Sequence, residues 1–444
     1  MNPFTLKELR QLTRSRAISA TLMLFLFACV VATYLFPLGG IKYDTGGCLV
    51  GVLTLMLAIA FDIILPLNIF MRMQKERRGK TAADLTLVTP LPPAAIIDGK
   101  LRSAYALMFL LSSAALPFFV AAYLLHGITF VEMFKILAML VAYASVSVHV
   151  TIAIASGRLS PAMRVILFGI FMLHSLYTLL GSIFIGHIVC DMPSDSFIVT
   201  LALLVSISFL VRAYAVALLS PRTMERDFAI RWTTLAFVVG WLAYTMVKYS
   251  GGDAKKFHDT VLATVVLALA VVGFVMIRAI AQDAGYSKRQ LAARPAAKWR
   301  RILRWPFASG AVNGLFFASV LALALGAVMP LMEGKGAYEP LICSAYILAL
   351  AMYFRAAWYQ LRRFVRIPPA LLPVGVGLVF AFLQTFPALE ELNGGNFFSV
   401  VRPFFLHDLG DFNPEHLTFS LIALALGFLV MLPETIAAFK QKGN

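Results

Sequence analysis

The residues whose types and spacing first suggest chemistry lie in a polar stretch, residues 76–102, between two long apolar runs. Within it, Gly79-Lys80-Thr81 has the form of the end of a phosphate-binding P-loop. That loop requires a glycine five residues before Gly79, where this chain has Gln74, and it follows a strand. We therefore expect no nucleotide site here. Because the sequence also has no nucleophile elbow and no HExxH motif, we expect no enzyme.

The first half of the stretch predicts a short helix. Thr81 followed three residues later by Asp84 has the form of a capping box, so a helix should begin at Ala82. Asp84 would also complement the positive end of the helix dipole. Leu85 and Val88 then share one face, which gives this helix an apolar surface.

The second half predicts a turn and a second helix. Thr89 precedes Pro90 and is biased away from helical backbone, and Pro92-Pro93 can begin a helix at its first turn. That helix should run on into the next apolar run. The product is a helix-turn-helix that is suited to contacting a partner outside the membrane. Basic residues flank it on both sides: Arg72, Lys75, Arg77, Arg78, Lys80, Lys100 and Arg102.

Two polar residues, Asp62 and Asn68, fall inside an apolar run. An ionisable group in a membrane span costs about 2.5 kcal/mol or more, so Asp62 is a functional hypothesis. It lies only two turns from the basic edge of the run, and a structural partner is the alternative. Arg212 and Arg355 also fall within runs, near their cytoplasmic ends, where we expect them to snorkel.

A metal site is not expected. Residues 389–417 contain histidines and carboxylates, but their spacing matches no ligand signature, and a solvated acidic loop explains them better. The four cysteines have no CxxC spacing and predict neither a disulfide framework nor a metal centre. We therefore assign no catalytic, cofactor-binding or metal-ligating residue to this chain.

Composition places the chain among membrane proteins, because 60% of its residues are hydrophobic, 14% are charged and the mean hydropathy is +0.84. A hydrocarbon core of roughly 30 Å needs about 20 helical residues. The sequence predicts an all-α, polytopic fold with about twelve transmembrane helices. Their approximate spans are 17–38, 48–70, 103–125, 135–156, 163–189, 196–219, 232–249, 260–281, 308–331, 341–361, 369–388 and 417–438.

The distribution of charge predicts the orientation. With the N-terminus in the cytoplasm, 29 lysines and arginines face inward, 7 face outward and two lie within spans, which accounts for all 38. Both termini are then cytoplasmic, and the expected location is the inner (plasma) membrane. The net charge of +16 therefore indicates topology and contact with membrane lipids, and we expect no nucleic-acid partner.

The N-terminal residues 1–16 predict an amphipathic helix lying in the cytoplasmic interface, and an extension of the first span is the alternative. Three leucines share one sector and three basic residues the opposite one: Leu6, Leu9 and Leu12 against Lys7, Arg10 and Arg14. We expect two further domains. One is a six-span unit over 17–219 with a cytoplasmic loop at 72–102, and the other is a second six-span unit over 220–444 with a basic, tryptophan-bearing loop at 283–307.

The start of the chain and the 76–102 stretch together resemble ATP-binding-cassette (ABC) transporter permeases of the exporter type. The resemblance covers about the first 125 residues. It rests on Asn2-Pro3, Leu6 to Arg10, Ser15-Arg16, Glu76-Arg77, Gly79, Leu85, Leu87, Thr89-Pro90-Leu91, Ile96 and Gly99-Lys100-Leu101. It implies that the loop is a coupling element on which a separate ATPase subunit docks, with ATP and Mg²⁺ on that partner. The residues it implies for the coupling loop are Glu76, Arg77, Gly79, Thr81, Asp84, Leu85, Val88, Thr89, Pro90, Leu91, Gly99 and Lys100.

The chain departs from that family in two ways. Lys80 is inserted where the family has Gly and Thr adjacent, and twelve spans replace the usual six. Either two permease halves are fused, with 283–307 as a degenerate second coupling loop, or a six-span unit has gained a different extension. Whether a second permease chain is a partner stays open.

A secondary transporter of the major facilitator type is the main alternative. Glu76-Arg77-Arg78-Gly79-Lys80 imitates the signature of that class, but Arg72 stands where its leading glycine belongs. The loop also runs about twenty residues past the motif, and the large central loop follows span eight rather than span six. A polytopic enzyme or an assembly scaffold is the remaining alternative.

Overall fold

A computed structural model gives the architecture of the chain. The structure describes residues 3–13, 16–38, 45–78, 92–125, 129–157, 160–191, 193–221, 225–249, 254–280, 282, 299, 304–328, 345, 348, 352, 355, 422, 424–429 and 431. The predicted helix from Ala82, most of the 283–307 loop and the acidic 389–417 loop lie outside these residues.

Every long regular element in these ranges is a helix, which confirms the all-α prediction. In chain order the elements are α1 (Pro3–Thr13), α2 (Arg16–Leu38), α3 (Thr45–Ile59), a π-helical turn (Ala60–Ile64), α4 (Leu65–Arg78), α5 (Pro93–Leu124), α6 (Phe130–Ser156), α7 (Pro161–Asp191), α8 (Ser194–Leu219), α9 (Phe228–Tyr249), α10 (Ala254–Ile280) and α11 (Ala311–Gly326).

Seven helical segments within the described ranges are long and apolar enough to cross a membrane, as expected of a membrane-embedded protein. They are Ile18–Leu35, Gly46–Arg77, Pro93–Leu124, Phe130–Ser156, Ser194–Leu219, Phe228–Lys248 and Ala263–Ile280. Shorter apolar segments at Pro161–Leu176 and Ala311–Gly326 fall on two more predicted spans. The last three predicted spans lie wholly or mostly outside the described residues, so the count of twelve stays a prediction.

The chain divides into two compact units, Met1–Ser220 and Pro221–Asn444. In the first unit α6 is the central helix, and it contacts α3, α4, α5, α7 and α8. Its buried positions are rich in small residues such as Ala144, Ser145 and Ala155, which let neighbouring backbones approach closely. That each unit is a six-span permease domain stays a prediction.

Local sequence explains where the helices of the first unit begin. α5 starts at Pro93 with Pro92 in extended backbone, which confirms the helix predicted from this proline pair. α6 starts with a capping box, in which the Glu132 amide donates to Thr129 Oγ1 at 3.3 Å and the Thr129 amide donates to Glu132 Oε2 at 2.7 Å. The two helices that follow the polar loop are therefore fixed at their N-termini.

A π-helical turn at Ala60–Ile64 interrupts the second span, which we predicted as one transmembrane helix over 48–70. Its last hydrogen bond runs from the Leu65 amide to the carbonyl of Ala60, five residues earlier. Proline has no amide hydrogen and its ring clashes with the carbonyl four residues before it, so Pro66 cannot continue α-helical bonding to Asp62. Asp62 lies on this turn and is buried in the core, where it is 4% exposed.

In the second unit, α10 packs against both α9 and α11. Gly310 precedes α11 with φ 138°, a backbone conformation that favours glycine. Arg231, on α9, is almost fully buried and donates from its guanidinium to the carbonyls of Pro306, Ala308 and Gly310. This arginine therefore satisfies the carbonyls of the turn that leads into α11.

Candidate functional site

The structure describes four of the twelve predicted coupling-loop residues, and these form the base of the loop: Glu76, Arg77, Gly99 and Lys100. The other eight lie outside the described residues: Gly79, Thr81, Asp84, Leu85, Val88, Thr89, Pro90 and Leu91. Their assignment to a partner contact stays a prediction. The structure shows how the two ends of the loop are held.

Lys100 joins three helices at the base of the loop. Its Nζ donates to Glu76 Oε2 on α4 at 2.8 Å and to Glu8 Oε1 on α1 at 3.1 Å. The Lys100 and Glu8 side chains are buried, while Glu76 is about one-third exposed. A buried ammonium between two carboxylates has its charge compensated, and the geometry fixes α1, α4 and α5 against one another.

Two arginines, Arg77 and Arg72, also donate hydrogen bonds to backbone carbonyls near the base of the loop. Arg77, near the end of α4, donates to the carbonyls of Ser156 and Gly157 at the end of α6, both at 2.7 Å. Those carbonyls lack partners within their own helix, and a cation there also complements the helix dipole. Arg72 donates through Nη2 to the carbonyl of Gln11 on α1 at 2.9 Å.

The N-terminal helix forms over Pro3–Thr13, inside the predicted 1–16 segment. Leu6, Lys7 and Arg10 are exposed and Leu9 is intermediate, whereas Glu8 faces the protein. The side chain of Leu12 and all of Arg14 lie outside the described residues. The placement of this helix in a membrane interface stays a prediction.

Arg212 and Arg355 are held by partners, and the expectation that both simply snorkel was incomplete. Arg212, on α8, makes a bidentate ion pair with Asp98 on α5, with both nitrogen-to-oxygen distances at 2.7 Å. Arg355 is only 2% exposed and donates to the carbonyl of Ile280 at 2.6 Å, so the snorkelling prediction is wrong for it. Hydropathy could not show either partner, because each lies more than 70 residues away in sequence.

A chain of hydroxyl groups that we did not predict crosses the interface of α5, α6 and α8. Ser208 donates to its own helix at the carbonyl of Leu204, so its hydroxyl must accept the bond from Ser145 at 3.1 Å. Ser145 must in turn accept from Tyr105 at 2.6 Å. His149 Nδ1 lies 2.7 Å from the carbonyl of Ser145, and that nitrogen must donate because a carbonyl only accepts.

These contacts have structural rather than nucleophilic geometry. His149 bonds to the backbone of Ser145 and not to its hydroxyl, so the pair lacks the contact between base and nucleophile that acyl-transfer sites need. The only sequence signal was the alternation of polar residues with valine, from Ser145 to Thr151, inside an apolar span.

Asp62 and Asn68, the two predicted intramembrane polar residues, have local partners. Asp62 Oδ1 accepts from the hydroxyl of Ser147 at 2.9 Å, which joins the π-helical turn to α6. Asn68 Nδ2 donates to the carbonyl of Ile64 one turn earlier, at 2.9 Å. The structural alternative for Asp62 is therefore supported by a contact, although a carboxylate with one hydroxyl partner keeps further accepting capacity.

A second charged cluster lies at the start of α9 in the second unit. Asp227 accepts from Arg278 Nε on α10 at 2.7 Å, and the Asp227 amide donates to Ser309 Oγ at 3.3 Å. Burial alone would raise the pKa of the Asp227 carboxyl, but the neighbouring Arg278 and Arg231 guanidinium groups hold its pKa below the usual value. The carboxylate is therefore charged at neutral pH.

Within the described ranges, no three histidine, cysteine, aspartate or glutamate side chains come together as metal ligands. The described residues therefore form a loop base that is held by ion pairs, a buried chain of hydroxyl groups through Ser145 and a buried charged cluster around Asp227. Comparison with protein-family models, with curated proteins and with solved structures finds no match for this chain.

Proposed function

We propose that this chain is the transmembrane subunit of an ABC export system in the inner membrane, driven by a separate ATPase subunit that carries ATP and Mg²⁺. The observation that supports this most is the base of the 79–91 loop. Lys100 joins both ends of the loop to each other and to α1, through Glu76 and Glu8. Arg77 ties the same base to the end of α6.

A coupling element has to pass movement of a partner to the spans without deforming locally. A push on a loop whose ends were free would bend the loop. Here a push on the base acts on α1, α4, α5 and α6 together, because charged contacts join these four helices. This suits rigid-body transmission of ATPase closure.

The test uses two loop substitutions, Leu85→Asp and Pro90→Ala, with Glu225→Gln as a control in another cytoplasmic segment. The tagged protein is purified from its native membrane in mild detergent, and stoichiometrically bound proteins are identified. We expect an ATPase with the wild type and with E225Q, and its loss with the loop variants, although these still insert. Loop variants that retain the ATPase and transport normally would overturn the assignment.

A secondary transporter is the second candidate, and buried Asp62 favours it. Intramembrane carboxylates are common in ion-coupled transport, and this one lies on a π-helical turn, a feature frequent at functional sites. That function requires a lone chain whose transport follows a proton or sodium gradient, ignores ATP and is lost in Asp62→Asn.

A further inference from the structure

A continuous groove runs along the first unit between α2, the segment from Ala60 to Met73, and α5. It consists of two adjoining shallow recesses in the surface of this unit. Leu65, Asn68 and Leu107 line both recesses, so one opens into the other.

The two ends of this groove differ in polarity. One recess is walled by aliphatic side chains such as Ile18, Leu22 and Leu111. The other contains Arg72 and Lys100, with Glu8 and Ser103 beside them. A groove that is apolar at one end and charged at the other fits an amphiphile better than a wholly polar or wholly apolar ligand.

The length of the whole groove is close to the depth of one leaflet of a bilayer. Lys100, at the charged end, and Leu111, in the apolar recess, are eleven residues apart on α5. At 1.5 Å per residue this is about 16 Å. Half of a hydrocarbon core of roughly 30 Å is about 15 Å, so the groove spans the depth of one layer of acyl chains.

The charge at the polar end selects an anionic headgroup. Lys100 is compensated by Glu8 and Glu76. Arg72 differs, because no carboxylate in the described part of the chain lies within ion-pair distance of it, and Gln11 supplies only a neutral carbonyl. A guanidinium has five N–H donors in a planar arrangement that suits phosphate. One N–H of Arg72 donates to the carbonyl of Gln11, which leaves the others for a phosphate.

We propose that this groove binds an anionic glycerophospholipid of the cytoplasmic leaflet. Its phosphate lies on Arg72, and one acyl chain lies between α2, the π-helical turn and α5. The site is independent of the transport proposal, because it requires only the contacts of the first unit.

The headgroup is tested on the full-length protein by titrating detergent-purified chain with phosphatidylglycerol or phosphatidylcholine and counting bound lipid by native mass spectrometry. We expect preferential binding of phosphatidylglycerol. Arg72→Gln should weaken it about tenfold, the scale of one lost charge-assisted contact, and Arg72→Lys should retain most of it. The control is Arg102→Gln. It removes an exposed arginine near Lys100 at the N-terminal end of α5 and should leave lipid binding unchanged.

The acyl end is tested without touching Arg72. Leu107→Trp should fill the groove and lower binding of phosphatidylglycerol, while Phe109→Trp, which enlarges an outward-facing side chain that is 77% exposed, should not. Equal binding of both lipids together with no effect of R72Q would overturn the site. So would a second copy of the chain, found by cross-linking, in place of lipid at Leu107.

Discussion

At the scale of single residues, several charged side chains of this chain form ion pairs with residues that are distant in the sequence. Lys100 and Arg212 each pair with a carboxylate on another helix, and Arg278 pairs with one just before the start of α9. All three basic residues lie beside or within an apolar run. Lys100 was predicted to belong to the coupling loop because Gly99-Lys100-Leu101 resembles a family motif. The pairing of Arg212 with Asp98 could not be predicted, because ion pairs between helices depend on how the helices pack.

Asp227 provides the residue-scale prediction, because its folded-state pKa is depressed by two arginines. A depressed pKa means that its stabilising contribution is present above the unfolded value, about 3.9, and is lost as pH falls through the folded pKa. Asp227→Asn should therefore lower the free energy of unfolding by about 3 kcal/mol at pH 7, the scale of a broken buried ion pair. The difference from wild type should shrink as pH falls below about 4.

Thermal unfolding of the detergent-purified protein at pH 7 and at pH 3 to 4 measures this difference. Glu225→Gln is the matched control, because it removes an exposed carboxylate two residues away and should change little at either pH. A D227N deficit of equal size at both pH values would contradict the assignment of a depressed pKa.

At the scale of elements, hydropathy predicted the helices well but not their interruptions or their polar contacts. Predicted spans 17–38, 135–156 and 196–219 end at the same residues as α2, α6 and α8, because helix ends there coincide with the loss of apolar sequence. The π-helical turn was missed, although Pro66 four residues after Asp62 was its signal. The hydroxyl chain through Ser145 was missed because serine in an apolar helix usually bonds to its own backbone.

α10 and α11 pack closely at Gly314, so we predict that a larger residue at this position destabilises the protein. A Cβ added at Gly314 would lie 2.5 Å from Ala279 Cβ and 2.6 Å from Arg231 Nη2. Because Arg231 is fixed by three carbonyls, it cannot easily move away. Gly314→Ala should destabilise the protein by about 1 to 3 kcal/mol, the usual range for overpacking a core.

Gly273, in the middle of α10, is the control for this substitution. A Cβ there meets nothing within 4 Å, so Gly273→Ala should be neutral or stabilising by up to about 1 kcal/mol through helix propensity. Thermal unfolding of both variants decides between packing and a general effect of losing glycine. Equal midpoints for G314A and wild type would show that α10 and α11 are less closely packed than described.

At the scale of the whole molecule, composition alone predicted the all-α membrane class, because 60% hydrophobic residues arranged in long runs have few other solutions. The number of spans and the sidedness follow less directly, since they depend on which apolar runs cross the bilayer. The structure provides seven candidate spans in its described ranges, and the charge distribution predicts the orientation. One labelling experiment tests both the number of spans and the orientation.

Residues introduced into the connections should report their side of the membrane, because each crossing reverses it. Starting from a version with its four cysteines replaced by serine, we expect a single cysteine at position 251 or 335 to react with an impermeant maleimide added to intact cells. A cysteine at position 287 or 442 should react only after permeabilisation, since the predicted topology places 29 of the 38 basic residues on that side. Labelling at 442 in intact cells would place the C-terminus outside and exclude the predicted topology, in which both termini are cytoplasmic. Labelling at 287 in intact cells would place the basic, tryptophan-bearing loop outside, where no ATPase could reach it, and would remove that loop as a second coupling element.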